Sequence, residues 1–392
     1  MIGVIPPTGV PIKLRVLLRP RNDFDCDSFN GLLQKRIGGE VFLTNSGKAA
    51  IYLILKAIRR IYPERNEVIV PAYTCWSVPS AVVRAGLRVR TIDIEKENLS
   101  ISPKLLEGNI NNKTLAVITT HLFGISGEIE EVEKICREKK IILVDDAAQA
   151  LGASINGKLL GSFGDAGVLS FGRGKNITTI SGGAAIIRNK GIAKEAFTIY
   201  KREFPKVKPS NFKDNLRLTA YKFLSNRCLY WLPDKMPFLK IGETFFNPNF
   251  ILSRLPFNRC GIGIRMLNRL EEITSKRRAK ADIYRDELDK LNGVAILSPP
   301  PNLKPAYLRF PLILTANKNR RYILKKGHRL GISGMYPGTI NSIGDRQDYF
   351  IDDTIPCPSA KIVAESLITL PTHHLIRKAD IEKIVSFIKR TI

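Results

Sequence analysis

The sequence predicts an α/β fold in which helices cover both faces of a largely parallel sheet. From Glu40 onward, short apolar segments of strand-like composition alternate with segments of helical period, and the connections between them are short. Ile51, Ile54, Leu55 and Ile58, for example, follow the i, i+3, i+4, i+7 spacing of a helix with one buried face. Repeated units of this kind join parallel strands through crossover helices.

The predicted elements follow one another closely along the first half of the chain. Strands are expected at 40–44, 67–70, 87–94, 115–119 and 141–144, and helices at 51–58, 77–85 and 125–139. Pro71 ends the second strand, because proline cannot donate to a sheet ladder. The 125–139 segment runs from acidic to basic residues, which is the order that the helix dipole favours.

The alternating pattern breaks after Lys190, and we predict a second, smaller α+β domain in the remainder. A long helix is expected from Met266, a strand at 307–314, a helix at 320–331 that a glycine closes, and an amphipathic helix at 379–392. A chain of 392 residues is long enough for about two domains. We therefore divide it into a large domain, residues 1–255, and a small C-terminal domain, residues 256–392.

The overall composition is typical of a globular protein, but the charge is not. Hydrophobic residues make up 44% and charged residues 25%, while the formal net charge is +26. Such an excess of cations makes anionic ligands, a membrane surface or nucleic acid plausible partners. The cations are dispersed and no DNA-reading motif occurs, so we expect no nucleic-acid partner. No run of about 18 apolar residues occurs, so no membrane span is expected.

The cysteines are scattered, without a CxxC pair or a histidine at metal-ligand spacing. They are Cys26, Cys75, Cys136, Cys228, Cys260 and Cys357. We predict reduced thiols in a cytoplasmic protein, and no metal site. Prolines and charges interrupt the first twenty residues before an apolar segment of sufficient length forms, so we expect no secretory signal.

The chemically informative stretch is 141–183. Its first apolar segment ends in Asp145 and Asp146, and its second ends in Ser170, shortly before Lys175. In open α/β sheets, ligands bind beyond the carboxyl ends of the strands. The carboxylate, hydroxyl and amine of these residues are together suited to bind a cofactor that carries a phosphate, an aldehyde and a ring nitrogen. The amine can form a Schiff base, and one buried carboxylate can keep the ring nitrogen protonated.

A turn after the first strand, Gly47-Lys48-Ala49, is a candidate phosphate site. Phosphate placed there would meet free backbone N–H groups and the positive end of a helix dipole, and Lys48 would add a charge. A nucleotide loop of the GxxxxGK[ST] type is excluded, because Ala49 follows Lys48 and Asn176 follows Lys175. Taken singly, each lysine also has the ordinary interpretation of a surface charge.

Five segments together resemble one enzyme family. NSGKAAIYLILKAI, EVIVPAYTCWSVPSAVVRAGLRVRTIDI, HLFGISGEIEEV, VDDAAQALGA and SFGRGKNITTISGG resemble, in order and spacing, the DegT/DnrJ/EryC1/StrS family of pyridoxal-phosphate-dependent sugar aminotransferases. The resemblance covers 39–189 and resumes weakly at Arg265-Met266 and at Ile368 to His374. It implies fold type I of the PLP-dependent transferases, with a mainly parallel seven-stranded sheet in the large domain. It also implies a homodimer.

The resemblance assigns a role to each site residue. The SFxxxKxxTxxxGG pattern carries the Schiff-base lysine, which falls on Lys175, with Ser170 as a phosphate ligand. The DAAQ segment places Asp146, rather than Asp145, at the pyridine nitrogen, and Gln149 at the ring hydroxyl.

The implied reaction is a two-step amino exchange. Glutamate would convert pyridoxal 5'-phosphate to pyridoxamine phosphate, and a nucleotide-linked keto sugar would then accept the amino group, for cell-surface polysaccharide or a related glycan. Lys175, freed from the cofactor, would move the proton. A branch of the family with histidine at this position performs dehydration, so the retained lysine favours transamination.

Three positions depart from the family pattern. Lys48 replaces the threonine of the first phosphate motif, so a charge would stand in for a hydroxyl contact. Cys75 occupies the position of the aromatic residue that stacks on the pyridine ring. Either Trp76 takes that role through a one-residue shift or Cys75 faces the ring, and we favour Cys75. Gly263 replaces an asparagine that crosses the dimer to the phosphate, so we leave that ligand unassigned.

Residues 201–250 form a basic, aromatic insert that is longer than the family norm. It contains ten Lys or Arg residues, four Asp or Glu residues and ten aromatic residues. We favour a dimer interface or a helical cover on the large domain. Alternatively, rings beside cations would bring the enzyme to the inner face of a membrane and to a lipid-linked sugar. Two further alternatives are a catalytically silent regulator or scaffold, and a pyridoxal enzyme that acts on a non-sugar compound.

Overall fold

The computed structural model describes residues 3–11, 26–208, 211–224, 226–234, 244–315, 319–344, 349–351 and 356–392. The strands are β1 (Glu40–Thr44), β2 (Glu67–Pro71), β3 (Arg88–Ile92), β4 (Thr114–Thr120), β5 (Ile142–Asp146), β6 (Ser154–Ile155), β7 (Lys158–Leu159), β8 (Ala166–Ser170), β9 (Gly183–Ile187), β10 (Val294–Ile296), β11 (Leu303–Lys304), β12 (Phe310–Leu314) and β13 (Leu367–Leu370).

The helices are α1 (Cys26–Ile37), α2 (Gly47–Ile61), α3 (Ser77–Arg84), α4 (Pro103–Asn109), α5 (Ile129–Glu138), α6 (Lys190–Glu203), α7 (Asn211–Leu224), α8 (Trp231–Asp234), α9 (Phe257–Leu267), α10 (Leu270–Leu288), α11 (Arg320–Gly327), α12 (Pro358–Ser366) and α13 (Lys378–Thr391). Single turns of 3-10 helix occur at Leu122–Gly124, His328–Leu330 and Ile340–Ser342.

A seven-stranded sheet forms the centre of the large domain. Its strand order is β1-β9-β8-β5-β4-β2-β3. The β8–β5, β5–β4, β4–β2 and β2–β3 pairs are parallel, whereas β9 runs antiparallel to both of its neighbours. The predicted α/β class with a mainly parallel seven-stranded sheet is therefore confirmed. Since parallel strands share a direction, the carboxyl ends of β4, β5 and β8 meet at one edge of the sheet.

The two faces of this sheet carry separate hydrophobic clusters. Along β5, Leu143 belongs to the cluster shared with the C-terminal helices, and Val144 belongs to the cluster shared with α2. Every residue of β4 and β5 is buried, as expected of inner strands that are covered on both faces. Because successive side chains of β5 point to opposite faces of the sheet, Asp145 and Asp146 at the end of this strand also point to opposite faces.

The C-terminal part adds a small antiparallel sheet, β10-β12-β13, with α10, α11, α12 and α13. One hydrophobic cluster extends from Phe29 in α1 to Ile388 in α13, and β11 pairs with β6. The two parts thus share a continuous core. We retain the division at residues 255 and 256 as a proposal.

Several predicted boundaries differ from the observed ones. The helix expected from residue 125 begins at Ile129, because a 3-10 turn occupies Leu122–Gly124. Met266 lies near the end of α9 instead of opening one long helix, and α10 begins only at Leu270. The helix expected to end in glycine does so through a 3-10 turn, with Gly331 in the left-handed region at φ 80°.

The expectation of six reduced thiols is wrong for one pair. Cys26 in α1 and Cys260 in α9 form a disulfide, with their Cα atoms 5.3 Å apart. Cys75, Cys136, Cys228 and Cys357, by contrast, are not disulfide-bonded. The paired residues are 234 positions apart in the sequence, so only the packing of α1 against α9 brings them together.

Part of the basic, aromatic insert lies outside the described residues. Residues 235–243, which include Phe238, lie outside the described residues. Residues 12–25, on which the expectation of no secretory signal partly depends, also lie outside them. In the described part, Phe204 and Phe250 are buried. Large apolar side chains are exposed at Val207, Leu216, Phe223, Leu224, Leu229, Trp231 and Phe245.

Two absences hold for the described ranges of the chain. No helix there is long and apolar enough to cross a membrane. No group of three His, Cys, Asp or Glu side chains there could hold a metal ion.

Replacing one disulfide partner should lower stability. The Cys26→Ser variant is expected to lose about 2–4 kcal/mol of the free energy of unfolding, because the crosslink closes a long loop in the unfolded chain. Urea denaturation of the variant and the unmodified protein measures this difference. Cys228→Ser, at an exposed free thiol, is the matched control and should change nothing. If adding a reductant left the denaturation midpoint of the unmodified protein unchanged, that result would contradict the disulfide.

Candidate active site

A cavity of about 200 Å³ lies at the edge of the sheet where β4, β5 and β8 end. Residues from both halves of the chain line it: Ser46, Gly47, Lys48, Ile51, Thr74, Cys75, Ser77, Val78, Thr120, His121, Leu122, Asp146, Ala148, Gln149, Val168, Ser170, Lys175 and Tyr336. The cavity thus collects all but two of the site residues that the sequence singles out. The two exceptions are Ala49 and Trp76.

The start of α2 forms one wall of the cavity. Ser46 caps this helix and accepts a hydrogen bond from the Ala49 N–H at 3.3 Å, so that amide is already engaged. A Cβ at Gly47 would lie 3.2 Å from the Cβ of Ser170, which shows how closely the helix start approaches the end of β8. Backbone N–H groups at a helix start and a hydroxyl beside them are suited to an anion such as phosphate.

The two carboxylates at the end of β5 have different environments. Asp145 is fully buried, and its Oδ2 accepts from the N–H groups of Gly161 at 2.6 Å and Phe163 at 2.9 Å. Its Oδ1 lies 2.7 Å from His121 Nε2. With both oxygens engaged, Asp145 holds the surrounding loops in place. Asp146 alone faces the cavity.

Asp146 has an incomplete set of partners. Its Oδ1 accepts from the Ala148 N–H at 2.9 Å, and its Oδ2 makes no hydrogen bond to a described residue. Burial raises the pKa of Asp146 to about 6, although Ala148 and Lys175 act in the opposite direction. A buried carboxylate with a free oxygen is suited to a positively charged or proton-bearing group, such as a pyridinium nitrogen.

Lys175 lies in the loop between β8 and β9. The loop is held by side-chain hydrogen bonds, including Thr178 Oγ1 to the Phe171 carbonyl at 3.1 Å and Asn176 Nδ2 to the Leu151 carbonyl at 2.9 Å. Burial lowers the pKa of Lys175 below its ordinary value, with Cys75 and Asp146 acting in the opposite direction. A larger neutral fraction makes this amine a better nucleophile.

Gln149 connects the cavity to the C-terminal half. Its Nε2 donates to the Tyr336 hydroxyl at 2.7 Å, and its Oε1 accepts from the Phe123 N–H at 3.1 Å. Sequence reasoning missed Tyr336, which no motif or period marks. It also missed His121, which follows β4 at the same edge of the sheet and could have been found by the strand-end rule. The Nδ1 of His121 is buried without a partner in the described part of the chain.

Cys75 and Trp76 occupy different places. Cys75 lines the cavity and contacts both hydrophobic clusters, whereas Trp76 packs against the cluster of α2 only. Lys48 also lines the cavity, and its Nζ lies 4.7 Å from the centre of the Phe250 ring. Burial is the main cause that lowers the pKa of Lys48. The cavity therefore offers two lysines in distinct settings.

Replacing Asp146 should change how stability depends on pH. In the cofactor-free protein, a carboxyl whose pKa rises from 3.8 to about 6 on folding stabilises the fold below pH 4, and this contribution is lost as the pH passes 6. Asp146→Asn is therefore expected to exceed the unmodified protein in stability at pH 8 by up to about 3 kcal/mol, with no difference at pH 4. Urea denaturation at both pH values measures this.

Asp145→Asn is the matched control for this experiment. It should destabilise the protein at pH 8, because an amide cannot replace both acceptor oxygens of Asp145. If Asp146→Asn were the less stable protein at pH 8, the environment described for Asp146 would be wrong.

Comparisons with known proteins agree with this arrangement. The chain is 26% identical over 376 residues to the uncharacterized protein MJ1066 of Methanocaldococcus jannaschii, covering 93% of this chain and 89% of that protein. It is 28% identical over 245 residues to a GDP-perosamine synthase of Vibrio cholerae, covering 62% of this chain and 57% of the synthase.

The fold also matches a solved structure. Helicobacter pylori PseC, described as an aminotransferase involved in the biosynthesis of pseudoaminic acid, superposes with a TM-score of 0.80 over 99% of both chains at 20% identity. This likeness confirms the predicted fold of the pyridoxal-phosphate transferases. Because the model of the DegT/DnrJ/EryC1/StrS aminotransferase family matches residues 26–389, nearly the whole chain, this protein belongs to that family of pyridoxal-phosphate enzymes.

Proposed function

We propose that this protein transfers an amino group from glutamate to a nucleotide-linked keto sugar, for the synthesis of cell-surface polysaccharide or a related glycan. The observation that carries the proposal is the shared cavity of Lys175 and Asp146. There an amine with a lowered pKa and a carboxylate with a free oxygen lie beside the start of α2 and the hydroxyl of Ser170. The resemblance of the sequence motifs to sugar aminotransferases supports the same assignment.

Bound pyridoxal phosphate supplies an aldehyde that exchanges amino groups and a ring that withdraws electrons from the reacting carbon. Asp146 would hold a proton at the ring nitrogen. Lys175 would bind the aldehyde carbon at rest and, once displaced by substrate, carry a proton between substrate and cofactor. Its lowered pKa favours both tasks, because each of them requires the unprotonated amine.

The remaining cavity residues would bind and orient the cofactor. The N–H groups at Gly47 and Lys48, together with the Ser170 hydroxyl, would receive the phosphate, and the Lys48 amine would add a positive charge. Cys75 would lie against one face of the ring. Gln149, held between the Phe123 N–H and the Tyr336 hydroxyl, would face the ring hydroxyl.

We extend the proposal to the assembly and location of the enzyme. A homodimer is expected from the family, and the exposed apolar side chains of the insert would supply part of its interface. Alternatively, the same segment would suit peripheral contact with the inner face of a membrane, where Lys201 Nζ lies 4.2 Å from the centre of the exposed Phe197 ring. The enzyme itself is proposed to act in the cytoplasm, although the reduced thiols that support this location in the sequence do not include Cys26 and Cys260.

Lys175 is the decisive residue for testing the reaction. Borohydride reduction of the cofactor-loaded protein, followed by peptide mapping, is expected to label Lys175, and Lys175→Ala should lower turnover of glutamate with nucleotide-linked 3-keto or 4-keto sugars by about 10³-fold or more. The label identifies the amine that binds the aldehyde, and the lower turnover of Lys175→Ala follows from the loss of this amine, which also carries the proton.

Lys48→Met is the control for this experiment. It should leave the label on Lys175 and weaken cofactor binding about tenfold, since it removes one charge near the phosphate. A label on Lys48 instead would overturn the assignment of the two lysines. Amino transfer to non-sugar ketones, with none to any keto sugar nucleotide, would overturn the substrate class.

Membrane contact can be tested separately. In a flotation assay, the unmodified protein is expected to float with vesicles of anionic phospholipid. A double variant, Phe223→Ser with Trp231→Ser, should bind these vesicles several-fold less, because it removes two aromatic side chains that are 51% and 41% exposed. Tyr322→Ser, at a ring 53% exposed on α11, is the matched control. Failure of the unmodified protein to float with such vesicles would end the membrane hypothesis.

A further inference from the structure

A lysine and an arginine share one aromatic ring beside the active-site cavity. The Lys48 Nζ lies 4.7 Å from the centre of the Phe250 ring, and the Arg84 Cζ lies 4.4 Å from the same point. Phe250 is only 7% exposed and is the last residue of the basic, aromatic insert. Since Lys48 lines the cavity, the ring connects the insert with the wall of the active site.

Neither cation has a carboxylate partner among the described residues. The Lys48 amine also donates no hydrogen bond to any of these residues, so the Phe250 ring is the contact that orients it. An ammonium group is attracted to the face of an aromatic ring, and the attraction is stronger where water is partly excluded. Lys48 is half-buried, so the ring has a marked influence on where its amine lies.

The Phe250 ring is itself held in place by α3. Arg84 Nη1 donates to the Pro248 carbonyl at 3.2 Å and also to the Phe250 carbonyl. A second contact joins the same segment to this helix, because the Asn247 N–H donates to Ser80 Oγ at 3.0 Å. The ring therefore has a fixed place relative to α3, and the first turn of α3 lines the cavity.

The charges at this ring favour an anion in the cavity. Burial is the main cause that lowers the pKa of Lys48, and Arg84 acts in the same direction. An anion would offset both effects, because it supplies the counter-charge that the described residues do not. Lys48 is also the second residue of α2, and the start of a helix attracts anions through its N–H groups and its dipole.

We propose that Phe250 is a positioning residue, whose ring holds the Lys48 amine at the cavity wall, where this amine binds the phosphate of the cofactor. This inference rests on the proposed function, which assigns the phosphate to the start of α2. Phe250 does not line the cavity, so it acts through Lys48. A ring that restricts the rotamers of a lysine lowers the entropy cost of binding an anion.

The pair of Lys48 and Phe250 gives the insert a role in the active site. Lys48 stands where the family pattern has a threonine, so this chain would replace a hydroxyl contact by a charge. A flexible lysine needs a support that a short threonine does not, and the last residue of the insert supplies it.

The first measurement compares two ligands. Pyridoxal has the ring and the aldehyde of pyridoxal phosphate but no phosphate group. Phe250→Leu is expected to weaken the binding of pyridoxal phosphate to the cofactor-free, full-length protein about three- to fivefold. The affinity for pyridoxal should stay within about 1.5-fold of that of the unmodified protein, because no phosphate is present for Lys48 to bind. Equilibrium titration, followed by the absorbance of the ligand, measures both affinities.

The second measurement is a double-mutant cycle with Lys48. In a Lys48→Met background, Phe250→Leu should cause no further loss of affinity for pyridoxal phosphate, because the amine on which the ring acts is absent. Phe204→Leu is the matched control, since Phe204 is a buried ring of the same hydrophobic cluster and no described cation lies over it. It should lower stability without changing either affinity.

A second variant serves if Phe250→Leu does not fold. Phe250→Met keeps a long apolar side chain in the cluster but removes the aromatic face. It is expected to give the same selective loss of affinity for pyridoxal phosphate and the same absence of a further loss in the Lys48→Met background.

Three results would overturn the inference. They are an unchanged or higher affinity for pyridoxal phosphate in the Phe250 variants, an equal loss for pyridoxal and pyridoxal phosphate, and losses that add in the double-mutant cycle. The last two would indicate a purely structural role. If the expected pattern of binding were found in a protein that transfers no amino group, the proposed function would fail while the role of Phe250 was supported.

Discussion

The active site depends on the buried carboxylate of Asp145. Its two oxygens hold His121 and the N–H groups of Gly161 and Phe163, and these contacts fix the loops that follow β4 and β5. Because successive residues of a strand point to opposite faces, securing Asp145 on one face turns Asp146 toward the cavity on the other. Both oxygens of Asp145 have hydrogen-bond partners, whereas Asp146 keeps one oxygen without a partner among the described residues. That free oxygen is what Asp146 can offer to a cofactor.

The same logic of satisfied and unsatisfied groups applies to the cations. Arg277 donates hydrogen bonds to three segments of the fold, whereas Lys48 and Lys175 line the cavity. A formal net charge of +26 says little about where charge acts. Two lysines, Lys48 and Lys175, line the cavity, where burial strengthens their interaction with anionic groups. A phosphorylated cofactor carries the complementary charge.

The two halves of the chain meet at this cavity. Gln149 from the large sheet and Tyr336 from the C-terminal part share a hydrogen bond, and the disulfide between α1 and α9 joins distant segments of the same hydrophobic cluster. The cavity wall is therefore built from residues nearly two hundred positions apart. Changes in the C-terminal part that leave Lys175 and Asp146 untouched can alter the site through this wall.

The sequence by itself determined the parallel sheet and the residues of the central stretch. Strand and helix periods are local, so they can be read from the sequence. Asp146 and Ser170 end the neighbouring strands β5 and β8, and Lys175 lies in the loop after β8. All three lie within thirty positions of one another, so short motifs suffice to locate them. Only the tertiary structure decided the Cys26–Cys260 pair and the place of Tyr336 beside Gln149. Each of these depends on contacts between segments far apart in the chain, and no local pattern of residues records such contacts.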